Sequence, residues 1–396
     1  MDSEPSNERR VKLPLKYNLR HLRVRWRTTL GATLGIALVV AVFVMVMSLA
    51  RGLRATFLST GDPKNLLVVR KGSMAESSSQ ITFDEVRRVK YLEGIVRDEK
   101  GDPLASAEII VLITLERASG GRAHVQVRGI SPQSVALRPG IQVTEGRMFT
   151  PGKRECIVSR KVARRFPSCR LGQRFRSGKG NWEVVGVFDA QKSAYDSEIW
   201  VDADEAREAF NRSFYGSVLL RPVDDTASKA LVTRIEGDRS MQLRALTEKE
   251  YYAEQTKTAA PIQIFGAALA LVMSIGAAFS AMNTMYAFVG ARTREIGTLR
   301  VLGFRPGSIY ASFMIEALLI ATLGGALGCV LALPMHGIAT GTFNWSTFAE
   351  VAFEFRITPG LMALGMVFAL VMGTLGGLLP ARFAARKPVL EALRAA

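Results

Sequence analysis

The residues whose types and spacing could do chemistry are charged groups set against long apolar runs. Arg292, Arg294, Glu295, Arg300 and Arg305 fall in residues 291–308, between apolar runs at 262–289 and 309–335. Glu316 lies roughly two helical turns into the second of these runs. An ionisable group at that depth in a bilayer costs about 3 kcal/mol unless it is paired or snorkels to the interface. Two readings stay open: a conformational latch formed with a cytoplasmic arginine such as Arg300, and a glutamate that simply snorkels to the interface. Enzymatic constellations are missing. Gly178-Lys179-Gly180 lacks the hydroxyl residue and the upstream glycine spacing of a phosphate-binding loop. No GxSxG, SxxK or HExxH string occurs. His21, His124 and His336 are scattered, and Asp202, Asp204 and Glu205 read as a helix start rather than as metal ligands. No metal and no directly bound cofactor are expected.

The elements that must position these groups follow from hydropathy. The chain has 396 residues, 48 % of them apolar, with formal net charge +17 and mean hydropathy +0.15. That balance fits a few spans plus a sizeable water-soluble part. A basic excess raises nucleic acid as a partner, but it is equally normal for a protein on anionic lipid. No zinc-finger, RRM-like or basic-plus-heptad pattern supports nucleic-acid binding. Residues 1–28 form a basic arm in which Leu15, Leu19, Leu22 and Trp26 recur at helical spacing, an interfacial amphipathic helix. Residues 29–50, 259–290, 309–335 and 359–380 are four spans of about the 20 residues or more that a bilayer core requires. Ser48-Leu49-Ala50 resembles a signal-peptidase site, but the apolar run and the basic leader are both long, so a retained anchor is expected.

Lys and Arg excess in the arm, in residues 291–308 and in the tail 381–396 puts both termini inside by the positive-inside rule. The connection 336–358, with little charge, falls outside. Gly31 and Gly35, with Gly324, Gly328, Gly373 and Gly377, are small residues suited to close helix contact. Asn283 and Thr284 are candidates for bonds across helices, and Gly303 and Pro306 for a helix stop and a helix start.

Residues 51–258 contain no span. Leu66–Val69, Ala107–Leu115, Val125–Ile130, Cys156–Ser159 and Ser217–Leu220 read as strands. Thr82 with Glu85 forms a capping box, and Ser119-Gly120-Gly121 a hairpin turn. The expected fold is a four-helix integral membrane protein with an α+β extracytoplasmic domain inserted between spans one and two. Cys156 and Cys169 lie in that domain and could form a disulfide on an oxidising side of the membrane. Cys329 lies in a span and reads as packing. Glu248–Thr258, with Tyr251 and Tyr252, reads as a stalk leading into span two.

The string Arg292-Thr293-Arg294-Glu295-Ile296-Gly297-Thr298-Leu299-Arg300, ending in Leu302-Gly303, resembles the cytoplasmic loop of MacB/FtsX-like permeases of ABC transporters. Met282-Asn283-Thr284-Met285, Glu316-Ala317-Leu318-Leu319 and the tail from Pro380 to Arg394 are similar to other strings of that family, with Leu390 as an insertion in the tail. The strand and helix order of residues 51–258 resembles its extracytoplasmic core domain. The resemblance implies a permease subunit without a fused ATPase, working as a dimer with separate ABC ATPase subunits that carry ATP and Mg. It implies that Arg292, Arg294 and Glu295 make polar contacts to the ATPase while Ile296 and Leu299 fill an apolar groove, with Gly297 and Arg300 in the same helix. It further implies mechanotransmission to the exported domain in a bacterial inner membrane, with a periplasmic adaptor as a possible partner. Two other readings stay open: a transmembrane regulator of a periplasmic partner such as a wall hydrolase, and a membrane-anchored binding scaffold.

Overall fold

The computed structural model describes residues 26–191, 193–256, 260–343 and 350–388. Its first helix, α1, covers Trp26–Leu58. There follow β1 (Leu66–Arg70), α2 (Phe83–Lys90), β2 (Ala105–Glu116), β3 (Arg122–Ile130), α3 (Gln133–Leu137), β4 (Gln142–Gly146) and β5 (Glu155–Ser159). Next come α4 (Arg160–Arg165), β6 (Arg174–Ser177), β7 (Gly180–Asp189), β8 (Glu198–Asp202), α5 (Ala203–Ala209) and β9 (Ser217–Leu220). Then follow α6 (Asp225–Gly237), β10 (Leu243–Thr247), α7 (Glu248–Gln255), α8 (Ala260–Ala291), α9 (Thr293–Val301) and α10 (Pro306–Ala332). After them come β11 (Ala339–Phe343), β12 (Glu350–Glu354) and α11 (Pro359–Arg386).

The chain divides into two compact units. One gathers the residues up to Ala50, Ile262–Ile338 and Phe355 onward; the other holds Arg51–Pro261 and Ala339–Glu354.

The first unit is helical, and its four long helices are each long and apolar enough to cross a membrane. Val40, Val44, Phe288, Phe313, Ile320 and Met372 lie in its core. Large apolar side chains also cover its outside: Leu38, Phe265, Val272, Phe279, Val330 and Val371 are exposed. In water that surface would be a liability, whereas a bilayer makes it the ordinary exterior of a helix bundle. Glycines set the helix spacing. A Cβ built on Gly324 would come within 2.9 Å of the Ile36 side chain, and one on Gly328 within 2.6 Å of the Ala37 carbonyl oxygen. One on Gly377 would come within 2.6 Å of the Ala317 Cβ, and Gly373 meets Ala321 and Ala317 in the same way. These four glycines let backbones approach where any side chain would hold them apart. Gly31 and Gly35 differ, since a Cβ on either meets nothing within 4 Å in this chain. Thr284 is also not a cross-helix group: its hydroxyl donates to the Ser280 carbonyl of its own helix, at 2.9 Å. The apolar stripe of the basic arm, up to residue 25, lies outside the described residues.

The second unit is built on a ten-stranded mixed sheet in the order β10-β1-β9-β2-β3-β8-β5-β7-β4, with β6 paired to β7. Local chemistry fixes several of its elements. Thr82 and Glu85 form the expected capping box at the start of α2. The β2–β3 hairpin turns at Gly120 and Gly121, with φ of 88° and 81°, a region open to glycine at no steric cost. Asp202 caps α5, accepting from the backbone N–H groups of Asp204 and Glu205, so its carboxylate is spent on the helix start.

Four expectations change here. The first helix runs on past Ala50 to Leu58, because Leu53 and Phe57 continue a buried helical stripe. Residues 336–358 are not a bare connection: β11 and β12 pair antiparallel, and this hairpin belongs to the second unit. Tyr251 and Tyr252 are core residues rather than exposed stalk residues. They sit on α7, a separate short helix, and are buried in the second unit. Cys156 and Cys169 are free buried thiols in one core cluster, and burial pushes the Cys169 thiol up to about 12.

Candidate functional site

The arginine-rich segment folds as a short helix between two long ones. Its φ-permissive stop is Gly303, at φ +90°, whose N–H donates to the Arg300 carbonyl at 3.2 Å. Two residues on, Arg305 is the extended N-cap of α10 and Pro306 its first residue. The turn between α9 and α10 is therefore written in Gly303, Arg305 and Pro306.

The anchor of α9 is Arg292. Its Nη1 donates to Glu316 Oε2 at 2.9 Å, and its Nε to Glu295 Oε2 at 3.1 Å. Its guanidinium lies 5.3 Å from the centre of the Phe313 ring. Arg292 and Glu316 are both buried. The partner of Glu316 is thus Arg292 rather than Arg300, because Arg292 sits at the start of α9, directly facing α10, whereas Arg300 sits two turns further on. Thr293 adds a second tie, accepting from Lys387 Nζ at 2.7 Å just after α11. The start of α9 is held by α10 and by the end of α11.

This changes which residues of α9 face outward. Ile296 is only 3 % exposed and packs in the helical core, and Gly297 is buried with it. Ile296 and Arg292 are therefore inside this chain and not presented to another one. Arg294, Glu295 and Thr298 lie on the exposed side, Leu299 and Arg300 are half-buried, and Val301 and Leu302 are 64 % and 70 % exposed. The surface on offer combines charged groups with two apolar side chains at the end of the helix. Among the described residues no group of three His, Cys, Asp or Glu could hold a metal ion.

The second unit contains a feature that sequence reading missed. Arg128 on β3 lies fully buried among Glu76, Glu108 and Glu198, with nearest contacts of 3.1, 2.8 and 2.8 Å. Arg138, just past α3, bonds both oxygens of Glu108 and the Oε1 of Glu248. Tyr195 donates to Glu248 at 2.6 Å, and Ser134 and Ser217 supply further hydrogen bonds to Glu108 and Glu76. The two guanidiniums hold the Glu108 carboxyl at about 2 although burial opposes its ionisation. Every carboxylate in the cluster is hydrogen-bonded, as buried charge requires. The cluster ties four strands and α7 together and offers no reactive group. Its one legible signal is a charged residue inside a run of strand-formers, Glu108 near the start of Ala107–Leu115 and Arg128 within Val125–Ile130.

Residues 29–237 match the family model described as MacB-like periplasmic core domain, and residues 267–389 match FtsX-like permease C-terminal. A macrolide export ATP-binding/permease protein MacB 1 of Yersinia pestis is 28 % identical over 275 residues, which is 65 % of this chain and 41 % of that protein. The chain thus spans about two fifths of the length of the MacB relatives it matches. The uncharacterized ABC transporter permease YknZ of Bacillus subtilis is 24 % identical over 342 residues, 81 % of this chain and 80 % of its own. Among solved structures, the periplasmic region of MacB from Actinobacillus actinomycetemcomitans is similar at 13 % identity and a TM-score of 0.37, over 47 % of this chain and 90 % of that one. The extracellular domain of the YknZ transporter is similar at 17 % identity and a TM-score of 0.36, over 46 % and 100 %.

Proposed function

Because the chain belongs to the MacB/FtsX-like family of ABC transporter permeases, we propose that it is a permease subunit driven by a separate ABC ATPase. ATP and Mg bind on that partner. Closure of the ATPase moves α9, and the long helices carry the motion to the α/β unit on the extracytoplasmic side for export of a substrate. A second copy of the permease and a second ATPase complete the unit, with the chain's termini on the ATPase side. The observation that supports this best is the construction of α9: a helix whose start is fixed by a buried ion pair and whose far end is apolar and exposed. A loop that merely anchored two spans would need no such pair, since burying two charges is costly and is tolerated only with complementary geometry.

The export assignment draws on the names of the MacB relatives. Affinity purification of the full chain from native membranes in mild detergent tests the reading. A stoichiometric ABC ATPase is expected, together with a periplasmic adaptor or an exported substrate. A folded chain that repeatedly purifies with no ATPase would overturn it. Recovery of a cell-wall hydrolase with the ATPase would instead make the chain a regulator acting across the membrane.

A further inference from the structure

The α/β unit has a half-open cavity of about 390 Å³ beside the buried charge cluster. That volume lies within the range of about 300–1,000 Å³ usual for small-molecule sites. Its walls are largely apolar, with Pro63, Leu137, Pro139, Ile141 and Ala190 among them. Besides Ser59, the exposed Gln191 and Ser193, its polar wall is Arg138, Tyr195, Glu248 and Asp62.

Those polar groups are already occupied. The Glu248 carboxylate accepts from the Asp62 N–H, Asn65 Nδ2, Arg138 Nε and the Tyr195 hydroxyl. Arg138 is spent on Glu108, Ser134, Tyr195 and Glu248. Asp62 accepts from Arg221 and from the Lys64 N–H. A charged ligand would enter a partly desolvated site with no counter-charge left to meet it, which is strongly unfavourable. One group differs. Ser193 lines the cavity, is 6 % exposed, and its Oγ has no hydrogen-bond partner among the described residues. Buried hydroxyls are normally satisfied, and one left over beside an apolar cavity points to a partner supplied from outside the chain.

We propose that this cavity is a binding site for a small, uncharged, mainly apolar molecule whose single hydrogen-bonding group seats on Ser193 Oγ. The apolar walls supply the affinity, and the spent charges reject ionised analogues. The site lies within the α/β unit and does not depend on the ATPase reading.

Benzophenone is a suitable probe, being neutral, photoreactive and furnished with one carbonyl acceptor. The full chain in lipid nanodiscs would be irradiated with increasing benzophenone and the modified peptides identified by mass spectrometry. Saturable labelling is expected in residues 137–141 and 190–195, with none from the anionic 4-benzoylbenzoate. S193A should weaken the concentration dependence roughly five- to tenfold, the worth of one hydrogen bond. It removes an unsatisfied hydroxyl, so the empty unit should be no less stable, and a thermal scan separates lost binding from lost fold. Gly140→Trp should abolish the labelling. A Cβ there meets only Gln191 Oε1 within 4 Å, at 3.7 Å, so the ring can occupy the cavity without straining the backbone. Labelling that is non-saturable and confined to the long helices, or equal for the neutral and anionic probes, or indifferent to both substitutions, would overturn the proposal.

Discussion

Arg128 and Arg138 illustrate how a few buried residues set the behaviour of the α/β unit. Each is expensive to desolvate, and each is compensated by several carboxylate contacts. Replacing one partner exposes that cost. Glu108 is bonded by both arginines, so Glu108→Gln leaves two buried guanidiniums short of charge. We expect a loss of about 3–5 kcal/mol in stability, measured by denaturant unfolding of the α/β signal in the purified chain. The pH dependence has a definite sign. The folded-state value of Glu108, about 2, lies below the ordinary glutamate value of 4.5. Its ionised form therefore adds stability above the ordinary value, and that contribution is lost as pH falls from there toward 2. A thermal midpoint flat between about pH 5 and 7 and dropping below about 4 in the parent, with a shallower drop in Glu108→Gln, is the expected result. The strands carrying Glu108 and Arg128 were legible from composition. The ion pairing of the two side chains was not, because β2 and β3 bury side chains on both faces and alternation cannot then say which charges turn inward.

At the scale of the element, α9 shows where spacing misleads. Ile296, Leu299, Val301 and Leu302 lie close enough in sequence to suggest a single apolar side. On a helix turning about 100° per residue, Val301 lies about 140° round from Ile296, so the two cannot share a face. The structure resolves this by burying Ile296 and exposing Val301 and Leu302. The same geometry predicts two mutant classes. Ile296→Asp places a charge in the helical core and should prevent accumulation of folded protein. Leu302→Asp and Arg294→Glu change only the exposed side. They should lower the amount of co-purifying ATPase at least about tenfold while leaving the chain at parental levels. Arg292 and Glu316 form the hinge end of the same element. Arg292→Ala or Glu316→Ala each breaks the ion pair and leaves its other member buried, whereas the double substitution removes both. ATPase stimulation by the reconstituted permease should fall in each single variant and fall by less than the sum in the double, with a coupling energy of about 0.5–3 kcal/mol. Strict additivity would mean that the pair does not hold α9. The ends of this helix were legible, since Gly303 and Pro306 carry their own backbone chemistry. The choice of Arg292 over Arg300 was not, since it depends on how α8 and α10 pack.

For the whole molecule, the four spans were legible because apolar runs of this length have few alternatives, and a ten-stranded mixed sheet was not, because its order joins residues far apart in sequence. The consequence that sequence hid is one of connectivity. The chain passes between its two units at Ala50–Arg51, Pro261–Ile262, Ile338–Ala339 and Glu354–Phe355. All four long helices are therefore joined directly by backbone to the α/β unit, through α1, α8 and the β11–β12 hairpin. That hairpin is built into the unit. Phe353 is fully buried, Lys161 Nζ lies 3.9 Å from Glu354, and a Cβ on Gly52 would overlap the Glu354 carbonyl. In the coupling proposed above, motion of α10 and α11 would reach the unit by a backbone path separate from α1 and α8. Gly52→Val tests this path. Valine at that position forces β12 away from its seat while leaving α9 and the cavity residues untouched. ATPase co-purification should remain at the parental level, because the Arg294–Leu302 surface is unchanged. Export-linked activity in cells should fall, and limited proteolysis should cut within residues 339–354 faster than in the parent. Unaltered activity with a released hairpin would mean that α1 and α8 alone carry the stroke, and that the hairpin serves only to cover the sheet.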